Sequence, residues 1–98
     1  MARLALAFNR LASAEYRDIT NFSAEQFGRK VADAYMAGLD AAIERLREFP
    51  ELAPVDARYT PPTRCLRHRS HHVFYRVEPN RVLIVRILHQ SRATPTAL

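Results

Sequence analysis

Residues 64–92, RCLRHRSHHVFYRVEPNRVLIVRILHQSR, hold most of the side chains in this chain that can do chemistry. All four histidines (His68, His71, His72, His89) lie there, with Tyr75 and the arginines Arg64, Arg67, Arg69, Arg76, Arg81, Arg86 and Arg92. Imidazoles exchange protons near neutral pH, and guanidiniums grip phosphates or carboxylates at two points. Residues 57–98 carry eight Arg against the single acid Glu78, a balance of +7. Residues 1–56 carry seven Lys and Arg against nine acids, a balance of −2. The formal +5 is thus a basic C-terminal part joined to a slightly acidic front half. Such asymmetry marks a surface that meets something anionic: nucleic acid, an acidic protein segment or a phosphate-rich substrate.

Each of these signals has a plainer reading. His68, His71 and His72 invite a metal. Strand alternation and a turn near Ser70 argue against convergence, and no carboxylate lies close in sequence, so no metal and no other cofactor is expected. His89 could be a general acid; its simpler role is a strand-end imidazole hydrogen-bonded to backbone. Cys65 is the only cysteine, so an internal disulfide is ruled out, and its place beside Leu66 in a strand suits a small apolar residue. Arginines along an edge strand also deter edge-to-edge aggregation. Fourteen Arg to one Lys fits a GC-rich coding sequence as well as a need for two-point grips.

Ninety-eight residues make one domain, 1–98, with room for a single two-layer core. The opening MARLALAF has too short an apolar run for a signal peptide, and no stretch reaches membrane-spanning length, so a cytoplasmic protein is expected. Arg3 to Phe8 alternates, with Leu4, Leu6 and Phe8 on one side, and predicts a strand. Asn9 suits a helix N-cap, Ala12, Tyr16, Ile19, Ser23 and Phe27 follow at helical spacing, and Gly28 suits the helix end. Val31, Tyr35, Leu39, Ala42, Ile43, Leu46 and Phe49 predict a second helix, closed by Pro50. Residues 50–63, with four of the six prolines, read as an extended crossing loop. Strands are predicted at about 64–69, 72–78 and 81–89, the last two joined by a turn at Glu78–Pro79–Asn80–Arg81. Val82 to Leu88 is apolar on both faces except for Arg86, which places that strand centrally. Simple alternation turns His89 the same way as Leu83, Val85 and Ile87, and packs the Tyr75 ring with its hydroxyl at a rim. Arg76 goes to the opposite face with Phe74. The order is β-α-α-β-β-β, an α+β fold in which a helix hairpin covers one face of a small, mainly antiparallel sheet.

These residues also carry a resemblance. SHHVFYRV (70–77), a hairpin, and VRILHQSR (85–92) resemble the end of ParE-type toxins of the RelE/ParE superfamily, whose pattern is Ser-His, Phe-Tyr-Arg, a hairpin and Leu-His-Gln or Leu-His-Gly. Asp18–Ile19 in the first helix, Phe27–Gly28 between the helices and Phe49–Pro50–Glu51–Leu52 after the second agree with it. Arg69 departs from the family, which commonly has Gly before the Ser-His pair. TPPTRC (60–65) and the short tail ATPTAL depart as well.

The resemblance implies the RelE/ParE-like fold and the toxin of a type II toxin–antitoxin pair. It implies a ParD-like antitoxin as partner, in a heterotetramer or larger hetero-oligomer, with a DNA-binding N-terminal part and a flexible segment that folds onto the toxin. ParE members are associated with DNA gyrase poisoning and RelE members with ribosome-dependent mRNA cleavage. The tail after the last strand and a sheet without Lys resemble ParE, which implies a non-enzymatic gyrase poison. The expected target- or antitoxin-binding residues are Arg64, Arg67, Arg69, His71, Arg76 and Arg92. The ribonuclease alternative would use His89, Tyr75 and Arg76 as proton handlers and cation, and a non-toxic binding module is the third reading.

Overall fold

The computed structural model describes residues 3–98; Met1 and Ala2, the start of the MARLALAF run, lie outside the described residues. Strand β1 (Ala5–Phe8) leads into helices α1 (Arg10–Phe27) and α2 (Arg29–Arg45). Strands β2 (Val55–Asp56), β3 (Thr63–His68), β4 (His71–Val77) and β5 (Arg81–His89) follow. The sheet order is β1-β5-β4-β3-β2, with β1 parallel to β5 and the other pairs antiparallel. This is the α+β fold that the sequence predicts, with β5 inside the sheet. The proline-rich loop adds one element, because Val55 and Asp56 pair with Arg64 and Thr63. No helix among the described residues is long and apolar enough to cross a membrane.

Local chemistry accounts for the elements. Asn9 ends the β1 ladder by donating its N–H to the Ile84 carbonyl at 3.0 Å. Its side chain then caps α1 by accepting from the Ala12 N–H at 2.8 Å, which satisfies one of the orphan donors of the first turn. Gly28 closes α1 and opens α2 at φ 85°, in the region where a Cβ is penalised. Helix α2 stops at Arg45, short of Phe49, and continues as a tighter turn in which Leu46, Arg47 and Glu48 donate to carbonyls three residues back. Pro50 drives this, since the residue before a proline is pushed out of the helical region. Phe49 is consequently half-exposed rather than part of the buried stripe.

Two apolar clusters sandwich the sheet. Under the helices lie Ala12, Met36, Leu39, Ile43 and Leu46 with Val73, Tyr75, Val82, Ile84 and Ile87, flanked by Leu4, Leu6 and Phe8. Full burial of each large aliphatic among them contributes about 1.5–3 kcal/mol. On the outer face, Tyr59, Phe74, Val85 and Leu88 pack with Cys65, Leu83 and Leu98. Tyr75 is fully buried, and its hydroxyl donates to the Pro50 carbonyl at 2.8 Å. It lies beneath the proline-rich loop rather than at a rim, because that loop folds over it.

Strand β5 departs from simple alternation. Ile84 faces Tyr75 and Arg86 faces Phe74, so Val85 is an extra residue, a β-bulge. Ile84 and Ile87 therefore both lie on the helix side, while Val85 and Leu88 lie on the outer side. His89 consequently stands with Ile87 against His71, and not with Leu83 and Val85, because the bulge shifts the period by one. One carboxylate secures the bulge. Glu15 of α1 receives the Ile87 N–H at 2.9 Å and a forked contact from Arg86 at 2.9–3.2 Å. Both side chains are largely shielded, at 18% and 14% exposure for Arg86 and Glu15.

Removing one partner of such a shielded pair strands a charge and an N–H. Glu15→Ala is expected to lower the unfolding free energy in urea by roughly 3 kcal/mol, and Glu15→Gln by less, because its amide oxygen can still accept from Ile87. Arg69 in the β3–β4 turn has φ 50°, the conformation in which Gly is unpenalised, so Arg69→Gly is expected to raise Tm by about 2–4 °C in a calorimetric scan.

Candidate functional site: a groove with a histidine end

Where the helix hairpin overhangs the sheet, it leaves an apolar groove of about 650 Å³. Ile19, Phe22 and Phe27 of α1 line it, with Val31, Ala32 and Tyr35 of α2 and Ile87 and Leu88 of β5. Phe22, Phe27 and Val31 are 59%, 64% and 55% exposed. The helical spacing of Phe27 and Val31 suggested a covered face, but the sheet ends before it can reach the tip of the hairpin. Clustered apolar side chains left in water mark a docking surface.

The other end of the groove is polar. Ser70, His71, His89, Ser91 and Arg92 converge there from the start of β4 and the end of β5. The hairpin turn between His68 and His71 and the β5 bulge bring these segments together. The His71 and His89 rings meet edge to face at 5.4 Å and 90°. The Tyr35 hydroxyl lies 2.6 Å from His71 Nδ1. His89 Nδ1 accepts the Ser91 N–H at 3.1 Å, so the ring does bind backbone at the strand end, although the residue itself is exposed. Sequence reasoning named none of Tyr35, Ser70, Ser91, Glu15 and Asp18 as a site residue, although Asp18 and Ser70 lie in segments that carry the resemblance.

The sequence-expected binding residues do not form one site. His71 and Arg92 line the groove. Arg69 is exposed in the adjacent turn. Arg64 is drawn to the Ala53 carbonyl at 2.6 Å, away from the groove. Arg67 and Arg76 belong to the outer face, since they pair with His72 and Leu83 across the strands; Arg76 Nε donates to Thr63 Oγ1 at 3.3 Å. The ribonuclease set also divides. Tyr75 is buried under the helices, Arg76 lies on the other face, and His89 sits at the strand end. His68 and His71 share the helix side while His72 faces outward, and no group of three such ligands converges among the described residues. The Cys65 thiol is half-buried on the outer face, and burial pushes its pKa up, which disfavours a nucleophilic thiolate.

Burial, and then the neighbouring His89, His68 and His72, push the His71 pKa down from 6.5 to about 4. The unfolded chain binds a proton between these values that the folded chain refuses. His71 thus stabilises the fold fully above pH 6.5, and this contribution is lost as pH falls toward 4, up to roughly 3 kcal/mol in all. Urea unfolding of the native protein is expected to weaken between pH 7 and pH 4.5 by more than that of His71→Leu. Equal slopes would show that His71 is not the titrating group.

Comparison with known proteins gives the groove its context. A family model described as the ParE toxin of the type II toxin-antitoxin system parDE matches residues 6–94. Toxin ParE1 of Caulobacter vibrioides is 39% identical over 83 residues, covering 85% of each chain. Among solved structures, the chromosomal ParDE system from P. aeruginosa superposes with a TM-score of 0.75 at 18% identity, over 89% of this chain and 96% of that one. The toxin–antitoxin complex RelBE2 from Mycobacterium tuberculosis superposes at 0.62 and 19% identity, over 94% and 97%. At such identities these two structures speak to the fold, which is common to ParE and RelE toxins. Family and sequence relative agree over most of the length, and the chain belongs to the ParE toxin family of type II toxin–antitoxin systems.

Proposed function

We propose that this protein is a gyrase-directed toxin, non-enzymatic by itself, that acts in the cytoplasm by holding DNA gyrase in its DNA-cleaved state. A ParD-like antitoxin neutralises it by laying an amphipathic segment into the groove between the helix hairpin and the end of the sheet. Because such antitoxins carry a dimeric DNA-binding part, the inactive form is a heterotetramer or larger. The observation that carries the antitoxin part is the run of exposed Phe22, Phe27 and Val31 along a groove whose floor is already built.

The division of His89, Tyr75 and Arg76 favours gyrase over mRNA as the target. Cleavage by 2′-OH attack needs a base, an acid and cations around one phosphate. A fully buried Tyr75 cannot reach that phosphate, and Arg76 lies across the sheet from it.

Purified protein added to gyrase and plasmid is expected to abolish supercoiling and to leave linear DNA covalently trapped after detergent and protease. Normal supercoiling at saturating protein, with cut transcripts in a translating extract, would transfer the protein to the ribonuclease reading. Intact transcripts together with normal supercoiling and normal growth would leave a binding module. Val31→Arg is expected to weaken antitoxin capture at least tenfold while leaving the gyrase effect in place.

A further inference from the structure

The polar end of the groove has hydrogen-bonding capacity that the protein itself does not use. Burial pushes the Tyr35 pKa up, so the phenol keeps its proton and can donate it to His71 Nδ1, 2.6 Å away. With Nδ1 accepting, the single proton of the neutral His71 ring sits on Nε2. His89 follows the same logic: Nδ1 accepts from the Ser91 N–H, and its neutral ring also carries the proton on Nε2. Neither Nε2 donates to any described residue. Beside them, Arg92 is exposed and in no ion pair among the described residues. Two imidazole N–H donors and one guanidinium therefore stand at one end of the groove.

The distribution of cations gives this arrangement a direction. Among the described residues Arg92 is the one Lys or Arg that lines the groove, and Glu15 is committed to Arg86. An acid on an incoming segment is drawn to Arg92 and the two imidazoles rather than to the exposed Phe22, Phe27 and Val31. Polyanionic nucleic acid suits the groove poorly, because it would meet Asp18 and the exposed rings of Phe22 and Phe27 along its length.

We propose that the His71–His89–Arg92 end of the groove receives one side-chain carboxylate, an Asp or Glu at the end of the apolar stripe of an amphipathic antitoxin helix. This rests on the groove being the antitoxin site and adds the chemistry that orients the segment in it. The carboxylate accepts from the two Nε2–H groups and pairs with Arg92. Charge-assisted bonds of this kind are stronger than neutral ones and fix direction, since the reversed helix would carry its acid to the apolar tip.

The test uses a phage-displayed library of helices about four turns long, with a fixed Leu stripe at i, i+3, i+4 and i+7 and all other positions randomised. The library is selected on the whole protein. Bound sequences are expected to favour Asp or Glu over Asn or Gln by about tenfold at one end of the stripe. That preference is expected to vanish on His89→Ala combined with Arg92→Ala, two exposed positions whose replacement leaves the core intact, while stripe binding persists. Selection of the stripe with no acid preference would overturn the carboxylate receptor and leave groove docking standing. An acid preference unchanged in the double variant would overturn the assignment to these residues. Failure to select any striped helix would overturn the receptor together with the groove reading beneath it.

Discussion

The contact between Glu15 and the bulge in β5 is the constraint on which the site depends. Strand β1 ends at Phe8, and Asn9 spends its N–H on Ile84 before the chain turns into α1. From Val85 onward, β5 has no strand on that side. Glu15, about one and a half turns into the helix, takes the place of a neighbouring strand by accepting the Ile87 N–H and neutralising Arg86. One side chain thus satisfies the backbone, compensates a shielded guanidinium and joins helix to sheet. The extra residue then sends His89 toward His71 instead of the outer face.

A groove built in this way leaves part of the hairpin uncovered by design of length. Helices α1 and α2 run past the sheet, and their tip carries Phe22, Phe27 and Val31 into solvent. A free monomer gains nothing from this exposure. A protein whose partner supplies the missing layer gains an apolar surface for it, while the polar end supplies direction. The outer face follows a different logic. Its small cluster around Phe74 is covered by Tyr59 and by the tail, with the Tyr59 hydroxyl donating to the Pro95 carbonyl and Arg76 reaching the Leu98 carbonyl.

Much of the framework was legible because single residues carry it. Asn9, Gly28, Pro50 and the Pro79–Asn80 turn each have a local reason to be where they are, and the order β-α-α-β-β-β follows from them. Leu4, Leu6 and Phe8 alternate cleanly, and the structure buries that side. The bulge was not legible. Val82–Leu88 is apolar on both faces, so no change of period signals the extra residue, and its stabilising partner lies 71 residues away. The candidate site suffered from the same blindness. His71 and Arg92 were found by residue type, but Arg64, Arg67 and Arg76 were grouped with them only because a basic count does not record which face of a strand a side chain takes. Tyr35 looked like one more member of a helical stripe, and only the fold brings it to His71.

The orientation of His89 tests this account most directly, because the bulge, its Glu15 anchor and the polar end of the groove all meet there. We would record proton–proton NOEs from the assigned His89 ring in the free protein. Cross-peaks to the His71 ring and none to the His72 ring, which faces the outer side, are the result this account requires. Cross-peaks to the His72 ring without His71 would mean that β5 alternates without a bulge, and would contradict both the register and the site built on it.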